Sequence, residues 1–252
     1  MKPFISVVIP AYNEARRLPK TLNLIEQYVI AHRSDYLMEV LVVDDGSTDG
    51  TATLAEAMQV KFPELKVVAN AVNKGKGAVV RQGMLLAAGE WKLFTDADSS
   101  TPITELTKLL PFTSRNPETG VPLFSVIVGS RHLNKKSIKV KQPLKRRILS
   151  RLGNKLIQSV TLPGVVDTQC GFKLFSAEAA GRIFPKQSVN GWLFDVEILT
   201  IAHTLGYKIK EVAVDWYDDE KSKLRAARAA WNSLKDLRTI RQKAKRGDYG
   251  NK

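Results

Sequence analysis

Cysteine is almost missing: the 252-residue chain has one, Cys170. A single thiol excludes an internal disulfide and fits a reducing compartment. Long apolar runs are missing too, and none approaches the ~18 residues of a membrane span. The N-terminus passes straight into a strand-like run, so no signal peptide is expected. There is no internal repeat and no low-complexity segment. The dinucleotide fingerprint Gly-X-Gly-X-X-Gly does not occur, which argues against a nicotinamide dehydrogenase. The P-loop spacing is also absent, and Pro10-Ala11-Tyr12-Asn13-Glu14 is not the glycine-rich opening of a nucleotidyltransferase. Finally, acidic residues are wholly lacking from Thr119 to Val166.

What is present begins with charge. The formal net charge is +14, which implies a polyanionic partner: nucleic acid, an anionic membrane surface or phosphorylated substrates. The acid-free stretch holds Arg131, Lys135, Lys136, Lys139, Lys141, Lys145, Arg146, Arg147, Arg151 and Lys155, with Leu144, Ile148, Leu152 and Leu156 at helical spacing. A basic amphipathic helix suits a membrane face or a phosphate site. A nucleic-acid surface would interleave aromatics, and this stretch has only Phe124, so no nucleic-acid partner is expected. The chain ends in a second basic amphipathic pattern. Leu224, Ala227, Trp231, Leu234, Leu237 and Ala244 form its apolar stripe, as in a helix lying in a membrane interface. The length suits one large α/β domain, read as residues 1–220, followed by a basic helix and tail, 221–252.

Buried strands alternating with helices predict a mostly parallel sheet flanked by helices. Strands are expected over Phe4–Ile9, Glu39–Val43, Leu65–Ala69, Trp91–Phe94, Phe124–Val128 and Ile209–Trp216, the last at an edge or in an extra layer. Ligands of such sheets bind beyond the carboxyl ends of the strands. Three polar turns follow strands. Pro10–Glu14 is the first. Asp44-Asp45-Gly46-Ser47 is the second; Ser47 to Asp49 can cap the next helix, and one of the aspartates can accept hydrogen bonds from a nucleoside. The third is Asp96-Ala97-Asp98-Ser99-Ser100. Its two carboxylates, two apart on extended chain, point the same way and can hold Mg²⁺ or Mn²⁺ while the ion keeps water and takes phosphate oxygens. Asn73-Lys74-Gly75-Lys76-Gly77 places two lysines and two glycines at a helix start, a pattern that suits an anion.

These segments resemble family-2 glycosyltransferases with the GT-A fold. The resemblance rests on Val7–Glu14, Val43–Ser47, Asn73–Gly77 and Thr95–Asp98, in the family's order and at fitting separations. Gly129-Ser130-Arg131, Asp167–Lys173, Gly191–Glu197 and Ser222-Lys223-Leu224 narrow it to dolichyl- and polyprenyl-phosphate β-glucosyltransferases, with the mannosyltransferases close behind. Two departures stand out: no membrane anchor or span is seen, and Tyr217-Asp218-Asp219-Glu220 lacks the Arg and Gly often found before Ser222-Lys223. The fold implied is α/β, a GT-A (Rossmann-like) sheet with a basic amphipathic C-terminal helix. The activity implied is inverting transfer of a sugar, from UDP-glucose or GDP-mannose, to a polyprenyl or dolichyl phosphate at the cytoplasmic face of a membrane. Pro10, Tyr12, Glu14, Asp44, Asp45, Lys76 and Lys223 would serve the nucleotide sugar, and Asp96, Asp98 and Ser100 the metal. Arg131, Arg146, Arg147, Ser150 and Asn154 would hold the acceptor phosphate. Asp167 and Asp195 would orient acceptor or sugar. A lipid phosphate is already an anion and needs positioning rather than a strong base. An enzyme acting on a sugar or protein hydroxyl would need one, and Asp195 is the candidate.

Overall fold

The computed structural model describes residues 2–134, 164–217 and 226–250, with side chains of the last segment described from Lys235 onward. The first half alternates: β1 (Phe4–Ala11), α1 (Leu18–Ala31), β2 (Leu37–Asp44), α2 (Thr51–Met58), β3 (Leu65–Ala69), α3 (Lys76–Leu86) and β4 (Trp91–Thr95). The short helix α4 (Leu106–Leu109) follows, flanked by 3₁₀ turns. Pro111, which has no N–H, breaks up what periodicity predicts as one helix over 104–112. The second half holds β5 (Val126–Ser130), β6 (Phe172–Ser176), α5 (Ala177–Ile183), α6 (Phe194–Thr204), β7 (Ile209–Ala213) and α7 (Ala226–Arg246).

The strands form one seven-stranded sheet in the order β3-β2-β1-β4-β6-β5-β7. β6 runs antiparallel to β4 and β5; the remaining pairs are parallel. The carboxyl ends of β1, β2, β4, β5 and β7 therefore meet the amino end of β6 on one edge. β7 is an edge strand of this sheet, not an extra layer. β6 is a central strand that alternation does not signal, because all five of its residues are buried, Lys173 among them. A lysine inside an apolar run reads as a break; here the ammonium has a buried carboxylate partner.

Helices cover both faces. Ile5, Val7 and Ile9 pack with Leu18, Leu22, Ile25 and Val29 of α1 on one side. Val8, Phe94 and Phe175 pack with Val80 and Met84 of α3 and with α6 on the other. Leu237, Ile240 and Tyr249 belong to this second core. Leu237, which the sequence places on a membrane-facing stripe, is therefore 7 % exposed and packed on the domain. Truncating Ile240 there would cost roughly 2–5 kcal/mol. Leu224, Ala227, Trp231 and Leu234 lie outside the described side chains, as does the whole basic stretch 135–155. Among the described residues no helix is long and apolar enough to cross a membrane.

Candidate active site

The turn after β4 is anchored from two sides. Asp96 N–H donates to Gly171 O at 3.2 Å, next to the pairing of Thr95 with Phe172. A Cβ on Gly171 would fall 2.0 Å from Asp96 Oδ2, so only glycine lets the carboxylate lie there. On the other side, Thr21 Oγ1 of α1 donates to Ala97 O at 2.7 Å, and Ser99 Oγ donates to Thr21 Oγ1 at 2.9 Å. Asp98 accepts from Ser100 N–H at 2.9 Å and lies 3.8 Å from Arg17. Ser100 O in turn accepts Tyr217 N–H at 2.8 Å, bringing the chain after β7 onto this turn.

Lys76, the first residue of α3, enters from the side. Its Nζ is 2.6 Å from Asp96 Oδ1. That contact is a charged hydrogen bond, and among the described residues the buried Oδ1 has no other donor. Lys76 Nζ also lies 5.0 Å from the Trp192 ring centre and 5.7 Å from that of Phe94, within cation–π range. Beneath it, buried Lys173 donates to Cys170 O at 2.6 Å and to Asp195 Oδ1. The cluster thus sets Asp96, Asp98 and Asp195 against Lys76 and Lys173. Burial, and then Asp96, raise Asp98 above the usual carboxylate range. Burial also raises Asp195, against the pull of Lys173 and Lys76. Burial would lower Lys76, but Asp96 and Asp195 outweigh it and raise its pKa. Asp98, its charged form disfavoured by burial and by the neighbouring Asp96, favours an added cation at this turn.

The loops after β1 and β2 build the neighbouring wall. Asn13, at φ 54°, takes Thr48 N–H on its side-chain oxygen at 2.9 Å and donates its own N–H to Ser47 Oγ at 2.8 Å. Glu14 pairs with Arg17, and Tyr12 is 48 % exposed beside Pro10. Asp44 and Asp45 are both buried. Asp44 accepts from Ser47 N–H at 2.9 Å and from the Ser47 hydroxyl. Asp49, not Ser47, accepts from Thr51 N–H at the start of α2, at 3.1 Å.

Asp45 accepts from Lys74 N–H at 2.7 Å and Gly75 N–H at 3.0 Å, and Gly77 N–H donates to Asn190 O at 2.8 Å. The Lys74, Gly75 and Gly77 amides are thus spent within the protein, and the anion reading of Asn73–Gly77 rests on the Lys76 side chain. The glycines have a different cause. A Cβ on Gly75 would stand 2.5 Å from Asn190 O, and one on Gly77 2.4 Å from Val189 O, so loop 187–190 sits directly on this turn.

Across the sheet, Arg131 follows β5. Its N–H and Nε lie 2.8 Å from Asp167 Oδ2, and its Nη2 2.7 Å from Oδ1. Burial opposes the Asp167 carboxylate, but Arg131 outweighs it and holds its pKa below the usual range. The guanidinium lies 5.4 Å from the Trp216 ring centre. Glu211 on β7 accepts from Val166 and Asp167 N–H at 2.8 and 2.9 Å, fixing that loop. Arg146, Arg147, Ser150, Asn154 and Lys223 lie outside the described residues. The structure adds Thr21, Gly171, Lys173, Trp192, Glu211 and Trp216 to the residues shaping this edge. Gly171, Lys173 and Trp192 fall in stretches that carry the family resemblance, and Lys173 has a signal of its own: an unpaired cation inside Phe172–Phe175 would be too costly to bury.

The family model described as "Glycosyl transferase family 2" matches residues 6–184. The chain is 34 % identical to a dolichyl-phosphate beta-glucosyltransferase of Dictyostelium discoideum, covering 94 % of this chain and 74 % of that protein. It is 39 % identical to the dolichyl-phosphate beta-glucosyltransferase of Mus musculus, covering 87 % and 69 %. In fold it resembles glucosyl-3-phosphoglycerate synthase from Mycobacterium tuberculosis, solved with Mn²⁺, UDP-glucose and phosphoglyceric acid. The TM-score is 0.65 at 17 % identity, covering 95 % of this chain and 80 % of that one. With its GT-A-like sheet and the matched family model, the chain belongs to glycosyl transferase family 2, the glycosyltransferases.

Proposed function

We propose that this glycosyltransferase moves glucose from UDP-glucose to dolichyl phosphate or another polyprenyl phosphate, with inversion, while bound peripherally at the cytoplasmic face of a membrane. The observation that carries the reading is identity of 34–39 % to proteins of that one activity over 87–94 % of the chain. The geometry supports it: donor-side and acceptor-side groups share one edge of the sheet.

The residues present fit a divalent metal. Apart from Lys76, Asp96 Oδ1 meets no hydrogen-bond donor among the described residues, and Asp98 lies beside it at the mouth. Among the described residues no cluster of three or more His, Cys, Asp or Glu could enclose an ion, so phosphate and water would complete its shell. Asp96 and Asp98, with Ser100 near, would hold Mg²⁺ or Mn²⁺, which when bound supplies Lewis-acid stabilisation to the leaving diphosphate. Lys76 adds a second positive charge there. Pro10, Tyr12 and Glu14 line the place for base and ribose. Asp44 and Asp45 would act by shaping this wall, their carboxylates being bonded to Ser47 and to the Lys74 and Gly75 amides. Lys223 would reach the donor from the segment after Tyr217.

Asp167 takes Nε and Nη2 of Arg131 and so orients Nη1 toward an acceptor phosphate. Arg146, Arg147, Ser150 and Asn154 would complete that grip. Asp195, held by Lys173, orients the sugar. The basic stretch 135–155 and the exposed side of the C-terminal segment give the membrane contact.

A donor screen tests the proposal: UDP-glucose, GDP-mannose and UDP-GlcNAc with a short polyprenyl phosphate and Mg²⁺ or Mn²⁺. A β-linked glucosyl phospholipid is expected. Turnover of GDP-mannose instead would overturn the donor, and transfer to a sugar hydroxyl the acceptor.

A further inference from the structure

Glu197 on α6 is fully buried, yet no cation pairs with it among the described residues. Four neutral donors satisfy it instead. Oε2 accepts from Ser188 N–H at 2.8 Å and Val189 N–H at 2.6 Å. Oε1 accepts from the Ser188 hydroxyl at 2.6 Å and from Tyr249 Oη at 2.8 Å. A buried carboxylate is costly to keep on hydrogen bonds alone, so its partners are informative. Three of these bonds pin the loop that seats on α3. The fourth comes from the C-terminal tail.

The loop is tied onward to Lys76. Gln187 Nε2 donates to Gly77 O at 2.8 Å and Arg81 Nη1 donates to Gln187 O at 2.7 Å. Gly77 N–H donates to Asn190 O at 2.8 Å. The same loop carries Trp192 over the Lys76 ammonium. An open cleft of about 320 Å³ lies beside Asn190, Gly191, Lys235 and Asp236. The hydrogen-bonded route through Glu197 joins tail to loop alongside the apolar core shared by Val189, Leu193, Leu237, Ile240 and Tyr249. Burial and the adjacent Glu197 push the Tyr249 hydroxyl up, so it remains a donor at any working pH.

We propose that Glu197 is a positioning residue for the donor site: with Tyr249 of the tail it fixes loop 187–192 on α3 and so sets Lys76 against Asp96. The C-terminal tail thereby supports donor binding. This rests on the reading that Lys76 meets the nucleotide-sugar diphosphate.

Glu197→Gln, Tyr249→Phe and Ser188→Ala, each in the full chain, test it against wild type and in a Lys76→Ala background. Loss of supporting hydrogen bonds of this kind weakens a binding group by about tenfold or more. Glu197→Gln is expected to raise the UDP-glucose KM, and the Kd for UDP with Mn²⁺, by about tenfold, with the acceptor KM unchanged. Tyr249→Phe and Ser188→Ala, which keep the packing, should show the same split to a smaller degree and cover the case in which Glu197→Gln fails to fold. In the Lys76→Ala background the further rise should vanish, because coupled residues are non-additive. Unchanged donor KM and Kd, or equal fold-losses with and without Lys76, would overturn the proposal. If wild type itself binds no UDP, the donor reading is what fails, and the two failures are told apart.

Discussion

Replacing Arg131 with methionine should destabilise the protein before it says anything about substrate. The side chain is 18 % exposed and its partner Asp167 is fully buried. Removing one member of a buried pair leaves an uncompensated charge and costs ~3–5 kcal/mol. Asp167 would keep one donor, the Arg131 N–H at 2.8 Å, and Arg131 is partly wet, so the lower end applies: about 3 kcal/mol near neutral pH. In a domain of this size that is a fall in Tm of roughly 6–12 °C.

The pH dependence is the sharper part. In wild type the Asp167 pKa is depressed, so its stabilisation is present above the unfolded pKa and is lost as pH falls through the folded one. Without Arg131, burial dominates and the folded pKa moves above the unfolded value. The folded variant then binds a proton more readily than the unfolded chain and gains stability as pH falls through that raised pKa. The gap between wild type and Arg131→Met should therefore be widest at neutral pH and narrow in mild acid. Asp167→Asn added to Arg131→Met should recover much of the loss, since an amide can still accept the Arg131 N–H. Thermal melts of the three proteins at pH 7.5 and pH 5 decide it. A gap that is the same at both pH values, or a double variant no more stable than the single, would refute the reasoning. Acceptor kinetics are best compared between wild type and the double variant, at a temperature where both are folded.

Asp98→Ala should abolish transfer and Asp96→Ala should do so less completely; full wild-type activity in excess EDTA would end the metal assignment. Gly171→Ala should displace Asp96 and cost ~1–3 kcal/mol by overpacking, read as a lower Tm together with weaker Mn²⁺ binding; a variant that binds Mn²⁺ as wild type does would show that this contact gives way freely. Wild type should bind anionic but not zwitterionic vesicles and be released by high salt. Arg225→Glu with Arg228→Glu should weaken that binding, each basic residue near such a surface being worth on the order of 1 kcal/mol. Flotation of this double variant equal to wild type would move the membrane contact to 135–155.

The sequence by itself determined the repeating strand–helix order, the polar turns after the strands and the two aspartates that follow β4, because each is a local pattern. Apolar runs mark buried strands, and carboxylates just after them fall at the sheet's carboxyl edge. It also determined the charge asymmetry, visible as an acid-free stretch. What only the tertiary structure decided depends on pairing between distant residues. β6 is hidden in the sequence because Lys173 interrupts its apolar run, and the cost of burying that ammonium is offset by Asp195, 22 residues away. Its antiparallel direction brings Asp167 and Gly171 to the same edge as Asp96, which no spacing reveals. The glycines of Asn73–Gly77 read as an anion loop until loop 187–190 is seen resting on them. Leu237 reads as part of a membrane-facing stripe until α6 is seen to cover it. In each case the residue type announces a need, for a charge partner, for space or for an apolar cover, and the fold alone selects which distant segment meets it.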